Sequence, residues 1–177
     1  MDTLSGIVRR IDDLGRIVIP KEMRRKVKIE EGDQVEITLR NDGKIEINKY
    51  LPLGDKFDVM EKLATSLSKS IGYKVLITDK EKVIVDTTKT KEMVNENITA
   101  EVMEYIRNRE NFLLKEGKAK SILIERKDIE AIGILPIIVD NDSIGSICIL
   151  KGVSTAKIDI NELNIVKYVL DFLQTYI

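Results

Sequence analysis

Cations crowd one short stretch near the N-terminus. Between residues 9 and 28 the chain carries eight lysines and arginines against three acidic residues, which leaves a local charge of +5. The cations are Arg9, Arg10, Arg16, Lys21, Arg24, Arg25, Lys26 and Lys28. Five are arginines, whose planar guanidinium can form two parallel hydrogen bonds to a phosphate or to a guanine edge. The pattern indicates either a nucleic-acid contact or a solvated face with ordinary ion pairs.

This excess is local, because the whole chain carries 29 cations and 30 acidic residues, a net charge of −1. From residue 29 to residue 53 the balance reverses to three cations against six acidic residues. A nucleic-acid contact would therefore involve the first 28 residues, and a twofold axis would double their charge on one surface.

Little of the usual catalytic repertoire is present. The chain has no histidine and one cysteine, Cys148. These counts exclude a Ser-His-Asp triad, a Cys-His pair, a histidine- or cysteine-based metal site and an intrachain disulfide. Carboxylate or lysine chemistry is left, but no spacing selects a particular pair. We predict no enzyme, no catalytic residue, no metal and no cofactor.

Nothing in the sequence predicts export or membrane insertion. The first residues, MDTLSGIVRR, lack the apolar core of a secretory signal, and no apolar run approaches the ~20 residues needed to span a bilayer. With 43% hydrophobic and 33% charged residues, the composition is typical of a globular protein. We expect a cytoplasmic protein.

Short strands dominate the N-terminal part. Residues 6–11 and 16–19 are candidate strands, and Pro20 suits the first turn of a helix of about two turns in KEMRRKV. Residues 34–40 alternate apolar and polar side chains, and the turn NDG leads into a return strand over residues 44–50. The sequence predicts a β-rich unit with one short basic helix.

The break LPLGD, residues 51–55, is predicted to be a linker, so we divide the chain into domains 1–53 and 54–177. A β-rich unit of about 50 residues without disulfide or metal buries too little apolar area to be comfortable alone. The sequence therefore predicts an obligate dimer with interleaved strands. The alternative is packing against the C-terminal domain of the same chain, against which Pro52 and Gly54 in the linker argue.

From residue 57 the periodicity becomes helical. One helix face recurs at three- and four-residue spacing, and it comprises Phe57, Met60, Ala64, Leu67 and Ile71. Gly72 is the predicted C-cap. Strands are predicted at residues 73–78, 83–86, 121–125, 129–139 and 143–150, with helices at residues 99–108 and from the capping box DINE at residue 159 almost to residue 177. This is an α+β domain with a central antiparallel sheet flanked by helices, and any lid or pocket wall is expected within residues 87–120.

The last helix has two apolar stripes. One comprises Leu163, Val166, Leu170, Leu173 and Ile177, and the other comprises Ile165, Val169, Phe172 and Tyr176. One stripe can cover its own sheet, and the other needs a partner. Contact with the same helix of another chain would join two dimers into a tetramer. Burial of both stripes within one domain is the alternative.

The first 50 residues resemble the AbrB transition-state regulators. The resemblance rests on GIVRRIDDLGRIVIPKEMRRKVKIEEGDQVEI, residues 6–37, with its order of strand, LGRIVIP, basic helix and GDQVEI. It implies a swapped-hairpin dimer that binds double-stranded DNA. The family's DNA-contacting positions are filled here by Arg9, Arg16, Arg24 and Arg25, and Arg10 and Lys26 are plausible additional phosphate contacts.

The C-terminal part resembles a GAF domain, on IGILPIIVDNDSIGSICILKG, residues 132–152, and on the two long flanking helices. The whole chain is similar to a family of sporulation regulators that join an AbrB-like domain to a GAF domain, which implies transcription regulation of sporulation genes. The GAF-like part then senses an unknown small molecule, is an enzyme, or serves assembly. The enzyme hypothesis is weakest, because GAF-type redox enzymes use several cysteines and Cys148 lies in an apolar strand pattern.

An antitoxin is the alternative function. Swapped-hairpin domains also occur in antitoxins, whose C-terminal tail binds a toxin. Such tails are usually short and disordered, whereas the remainder of this chain has the pattern of a folded domain.

Overall fold

The computed structural model describes residues 6–50, 53, 56–115, 117–152 and 157–177. They fall into two units, Met1–Tyr50 and Leu51–Ile177. The predicted linker, with Pro52 and Gly54, lies outside the described residues apart from Leu53.

The N-terminal unit contains one helix, α1 (Lys21–Lys26), and one antiparallel hairpin, β1 (Val35–Leu39) and β2 (Ile45–Lys49). Pro20 precedes α1 as predicted. In the hairpin turn Gly43 has a φ of +79°, a conformation that glycine adopts without steric cost. These elements confirm the predicted basic helix and the predicted hairpin.

The predicted strands at residues 6–11 and 16–19 are wrong for the single chain. Both segments are described, and neither is assigned to a strand. At the turn between them, the backbone N–H of Asp12 donates to the carbonyl of Arg16 and that of Gly15 donates to the carbonyl of Asp12. A strand needs a second strand to satisfy its backbone groups, and the described part of one chain does not provide it here.

The N-terminal unit also lacks a core of its own. Among its described residues, Ile29 is the only buried apolar side chain. The cross-strand pairs Ile37–Ile47 and Leu39–Ile45 lie on one face of the hairpin, yet Ile37, Leu39 and Ile45 are exposed. The apolar alternation that predicted a buried face is therefore present, but the described residues of the N-terminal unit do not cover that face.

The C-terminal unit is built around one antiparallel sheet. Its strands are β3 (Val75–Thr78), β4 (Val83–Asp86), β5 (Phe112–Leu113), β6 (Lys120–Ser121), β7 (Glu130–Val139) and β8 (Asp142–Leu150), in the order β4-β3-β8-β7-β5 with β6 also paired to β7. Its helices are α2 (Phe57–Ile71), α3 (Ala100–Asn108) and α4 (Ile160–Tyr176). The predicted α+β class is confirmed. No helix in the described ranges is both long and apolar enough to cross a membrane.

Each face of this sheet has its own apolar cluster. On one face α2 and α4 pack against the strands, with Met60, Leu67 and Val166 among the buried residues. On the other face α3 and its flanking loops pack against the strands, with Ile106 and Cys148 among the buried residues. The sheet is thus covered on both sides by segments of its own chain.

The predicted helix boundaries are confirmed where local signals set them. Helix α2 ends at Gly72, which has a φ of +73°. Helix α4 begins with the predicted capping box: Asp159 accepts from the backbone of Glu162, whose side chain accepts from the backbone of Asp159.

Two strand predictions need correction. The strand predicted at residues 121–125 is wrong, because β6 ends at Ser121 and Leu123 forms only an isolated bridge with Ile98. The two-residue strand β5 was not predicted. Both strands are too short for a periodic pattern, and their pairing with β7 over long range decides their conformation.

Candidate nucleic-acid interface

A hydrogen-bonded turn at residues 12–16 holds Arg16. One carboxylate oxygen of Asp12, Oδ1, accepts from the backbone N–H of Leu14 at 3.0 Å and of Arg16 at 2.8 Å. The other, Oδ2, accepts from Nε of Arg16 at 2.7 Å. Gly15 takes the positive φ of +76° that the turn requires. The Arg16 side chain is 72% exposed, so its backbone and Nε are held by Asp12 while the rest of the side chain is accessible to a partner.

These contacts set the charge of Asp12. The backbone N–H of Arg16, then the Arg16 side chain, and then the backbone N–H of Leu14 hold the pKa of Asp12 below its ordinary value. The carboxylate is therefore ionised at neutral pH and continues to accept all three hydrogen bonds.

Helix α1 brings three of the predicted site residues together. Arg24, Arg25 and Lys26 form its last turn, where cations interact favourably with the helix C-terminus. Arg25 and Lys26 are exposed, whereas Arg24 is half-buried. Nε of Arg24 is buried and has no hydrogen-bond partner among the described residues. An unpaired buried donor on a charged group is costly, so a contact from outside this chain would relieve it.

Arg9 and Arg10 lie next to each other in the segment before the turn, and both are exposed. Like Arg25 and Lys26, they form no ion pair within the described ranges. The cations of residues 29–50 behave differently: Arg40 pairs with Glu46 at 3.0 Å, Lys44 with Asp42 at 2.7 Å and Lys49 with Asp33 at 3.2 Å.

This contrast bears on the two interpretations of the basic stretch. A solvated face with ordinary ion pairs is found in the hairpin, where three cations are neutralised by neighbours. The stretch from residue 9 to residue 28 keeps most of its predicted site residues unneutralised. Such uncompensated arginines favour a polyanionic partner.

Sequence reasoning missed the role of Asp12, which it counted only as a charge that reduced the local excess. The signal was present in DDLGR, since an Asp followed at short range by Gly is typical of a side chain that accepts from its own turn. A sum of charges treats Asp12 only as one negative charge, whereas the structure shows that this carboxylate orients the Arg16 side chain.

Cys148 is a core residue, as the sequence predicted. Its thiol is fully buried, and burial raises its pKa to about 11. Its Sγ lies 3.5 Å from Oγ of Ser146. Because the thiolate is the reactive form, a thiol with so high a pKa is inert at neutral pH.

Comparison with known proteins gives matches to both parts of the chain. The family model for "Stage V sporulation protein T C-terminal, transcription factor" matches residues 57–176, and that for "Antidote-toxin recognition MazE, bacterial antitoxin" matches residues 8–53. Stage V sporulation protein T of Bacillus subtilis (strain 168) is 38% identical over 151 residues, which cover 83% of this chain and 84% of that protein.

Two further proteins match a part of the chain. Transition state regulatory protein AbrB of Bacillus subtilis (strain 168) is 52% identical over 48 residues, which cover 27% of this chain and 49% of that protein. Among solved structures, the cofactor-binding GAF domain of the nutrient sensor CodY from Clostridium difficile gives a TM-score of 0.45 at 13% identity, over 64% of this chain and 81% of that chain.

Proposed function

The chain belongs to the stage V sporulation protein T family, whose members are DNA-binding transcription regulators of sporulation. From this premise we propose what each of its two units does. The N-terminal unit contacts duplex DNA. The contacting residues are Arg9, Arg10, Arg16, Arg24, Arg25 and Lys26. The observation that carries this assignment is that Arg9, Arg10, Arg25 and Lys26 are exposed and without an ion pair in the described chain, while the hairpin cations are paired.

Phosphate contacts by these side chains give affinity and register, and contacts of individual arginines with base edges give sequence preference. Helix α1 has only six residues, so it offers a short surface to the major groove. Sequence-dependent DNA shape therefore contributes to recognition. As a regulator of bacterial genes, the protein acts in the cytoplasm, where the chromosome lies.

The N-terminal unit is a dimer in this proposal. A second copy pairs with residues 6–11 and 16–19 and covers the exposed hairpin face of Ile37, Leu39 and Ile45. Burying one such side chain contributes about 1.5–3 kcal/mol, so a few of them stabilise the association. The dimer also brings two copies of the basic surface onto one DNA duplex.

A second contact joins dimers into a tetramer through α4. Val166, Leu170 and Leu173 of this helix face its own sheet. Tyr168, Phe172 and Tyr176 are exposed, and the last two rings stack at 5.7 Å. The C-terminal unit, predicted to be GAF-like, therefore serves assembly through this helix and remains available for small-molecule sensing.

Salt-dependent DNA titration of the full chain tests the DNA surface. We expect Arg9→Ala, Arg16→Ala, Arg24→Ala and Arg25→Ala each to weaken binding, and each lost phosphate contact to lower the slope of log K against log salt by about 0.9. Arg40→Ala is the matched control, because this arginine belongs to the same unit but is paired with Glu46. Unchanged affinity in all four variants, or an equal loss with Arg40→Ala, would refute the assignment.

The match of residues 8–53 to an antitoxin model favours one second candidate, in which the C-terminal part binds a protein partner. A toxin encoded next to this gene would support it, if the full chain neutralises that toxin and the N-terminal variants neutralise it equally well. Without such a neighbour the transcription regulator stands.

A further inference from the structure

A cavity of about 290 Å³ lies in the C-terminal unit where three elements meet. They are the turn that follows β3, the C-terminal end of α3 and the start of β8. Met103 and Ile106 of α3 contribute the apolar wall. The volume lies at the lower end of the range for small-molecule sites and suits a ligand of a few heavy atoms.

The rest of the lining is mostly cationic. Lys80, Arg107 and Arg109 face one acidic residue, Asp142. Lys80 is paired with Asp142 at 3.2 Å. Arg107 is the least engaged cation: its nearest acidic partner is Glu104 at 3.9 Å, and both side chains are largely exposed. The three cations have two acidic partners, Asp142 and Glu104, so one positive charge is left over and the cavity favours an anion with a single charge.

Arg109 anchors this arrangement. It ends α3 in the left-handed conformation with a φ of +59°, and its Nη1 donates to Oδ1 of Asn141 at 2.8 Å. Its Nη2 donates to the carbonyl of Asn141. The end of α3 is thereby tied to the β7–β8 turn, so the cavity is held open by contacts that do not need a ligand.

Ser143 points to a missing partner. The residue lines the cavity and is only 5% exposed. Its Oγ is buried and has no hydrogen-bond partner among the described residues. A buried hydroxyl without a partner is unfavourable, and rotation of the Ser143 side chain towards an anion in the adjoining cavity would give this hydroxyl an acceptor.

We propose that this cavity binds a small organic monocarboxylate. The carboxylate accepts hydrogen bonds from Ser143 Oγ and from the Arg107 guanidinium, and a short apolar chain lies against Met103 and Ile106. The site deepens the sensing role proposed for the C-terminal unit, but its geometry does not depend on DNA binding.

Methyl NMR of the full chain tests the site directly. With Met and Ile methyl groups labelled, sodium pentanoate is titrated to about 20 mM, where a site of millimolar affinity is occupied, at constant ionic strength. We expect saturating shifts of the Met103 and Ile106 methyl signals with pentanoate and none with pentanamide, which has the same chain but no charge. Absence of these shifts, or equal shifts with pentanamide, would overturn the proposal.

Two variants separate a binding role from a structural one. Ser143→Ala and Arg107→Gln should each weaken pentanoate binding about tenfold, and Lys127→Gln, a change at an exposed lysine outside the lining, should not. Without ligand, Ser143→Ala should melt at the wild-type temperature or above, because it removes an unpaired hydroxyl. A clear fall in its melting temperature, or wild-type affinity in both variants, would contradict the proposal. The DNA-surface variants leave these shifts unchanged, so the two proposals fail separately.

Discussion

The two units of this chain differ in whether one copy completes its own fold. In the C-terminal unit, α2 and α4 cover one face of the sheet and α3 covers the other. In the N-terminal unit, the same kind of amphipathic pattern leaves Ile37, Leu39 and Ile45 exposed. An apolar face therefore predicts that something covers it, but it does not say whether the cover comes from the same chain.

Charge follows the same division within the N-terminal unit. The hairpin cations find partners within their own unit, whereas Arg9, Arg10, Arg25 and Lys26 form no ion pair within the described residues. Exposed apolar residues, among them Val8, Ile11 and Val18, also lie between residues 6 and 28, beside the unpaired arginines. In the proposed function a second copy of the chain covers the apolar residues and DNA pairs with the arginines, so the two features are tested by different experiments.

The largest effect is expected where α4 meets its own sheet. Val166 is fully buried, so Val166→Glu places an unpaired carboxylate in the core at a cost of several kcal/mol. We expect thermal unfolding to show a C-terminal unit that is severely destabilised or unfolded.

Val169→Glu is the matched change on the same helix, at a partly buried position that packs at the edge of the same core. It should destabilise the C-terminal unit much less than Val166→Glu does, leave it folded, and reduce the mass measured by light scattering from tetramer to dimer. Wild-type mass for soluble Val169→Glu would place the assembly contact elsewhere, and equal destabilisation by both changes would mean that α4 has no free face.

A smaller effect is expected at the exposed apolar face of the hairpin. Leu39 is 72% exposed in one chain. If the N-terminal unit is a monomer, Leu39→Ala should change the free energy of unfolding by less than about 0.5 kcal/mol. If a second copy buries it, the loss should be about 2–4 kcal/mol, and the melting temperature should depend on protein concentration. Ile124→Ala in the C-terminal unit, at a residue 48% exposed, is the control and should be nearly neutral. Neutral behaviour of both variants would contradict the dimer.

The sequence predicted the elements that local signals determine. The apolar spacing and Gly72 located α2, and DINE located the start of α4. The segments at residues 6–11 and 16–19 were assigned wrongly, because their apolar pattern is typical of strands but no neighbouring strand pairs with them among the described residues. The pocket wall expected within residues 87–120 is present in the cavity lining, but Lys80 and Ser143 could not be predicted there, since only the tertiary fold brings them to Arg107.

The smallest effect concerns Asp12, where charge and geometry predict opposite signs. If Asp12 only reduces the local positive charge, Asp12→Asn should strengthen DNA binding. If it positions Arg16, as its hydrogen bonds indicate, the same change should weaken binding about three- to tenfold, the range expected for loss of one charge-assisted contact. DNA titration at fixed salt measures the sign.

Asp13→Asn is the control that isolates geometry. It makes the same change in charge at the neighbouring residue, which is exposed and outside the hydrogen bonds that Asp12 makes. We expect Asp13→Asn to leave affinity unchanged or slightly raised. Weakening by Asp12→Asn alone would therefore come from the lost turn, whereas parallel behaviour of the two variants would remove Asp12 from the site.

The pH dependence of this pair follows from the lowered pKa of Asp12. A carboxyl whose pKa is depressed by its contacts keeps them above the ordinary aspartate pKa of about 3.9 and loses them as the pH falls through its own lower value. Between about pH 5 and pH 8 the turn stays intact, so the affinity ratio of wild type to Asp12→Asn should be constant across that range. A ratio that collapsed towards one near pH 5 would mean that the pKa of Asp12 lies above its ordinary value, which would contradict the hydrogen bonds that lower it.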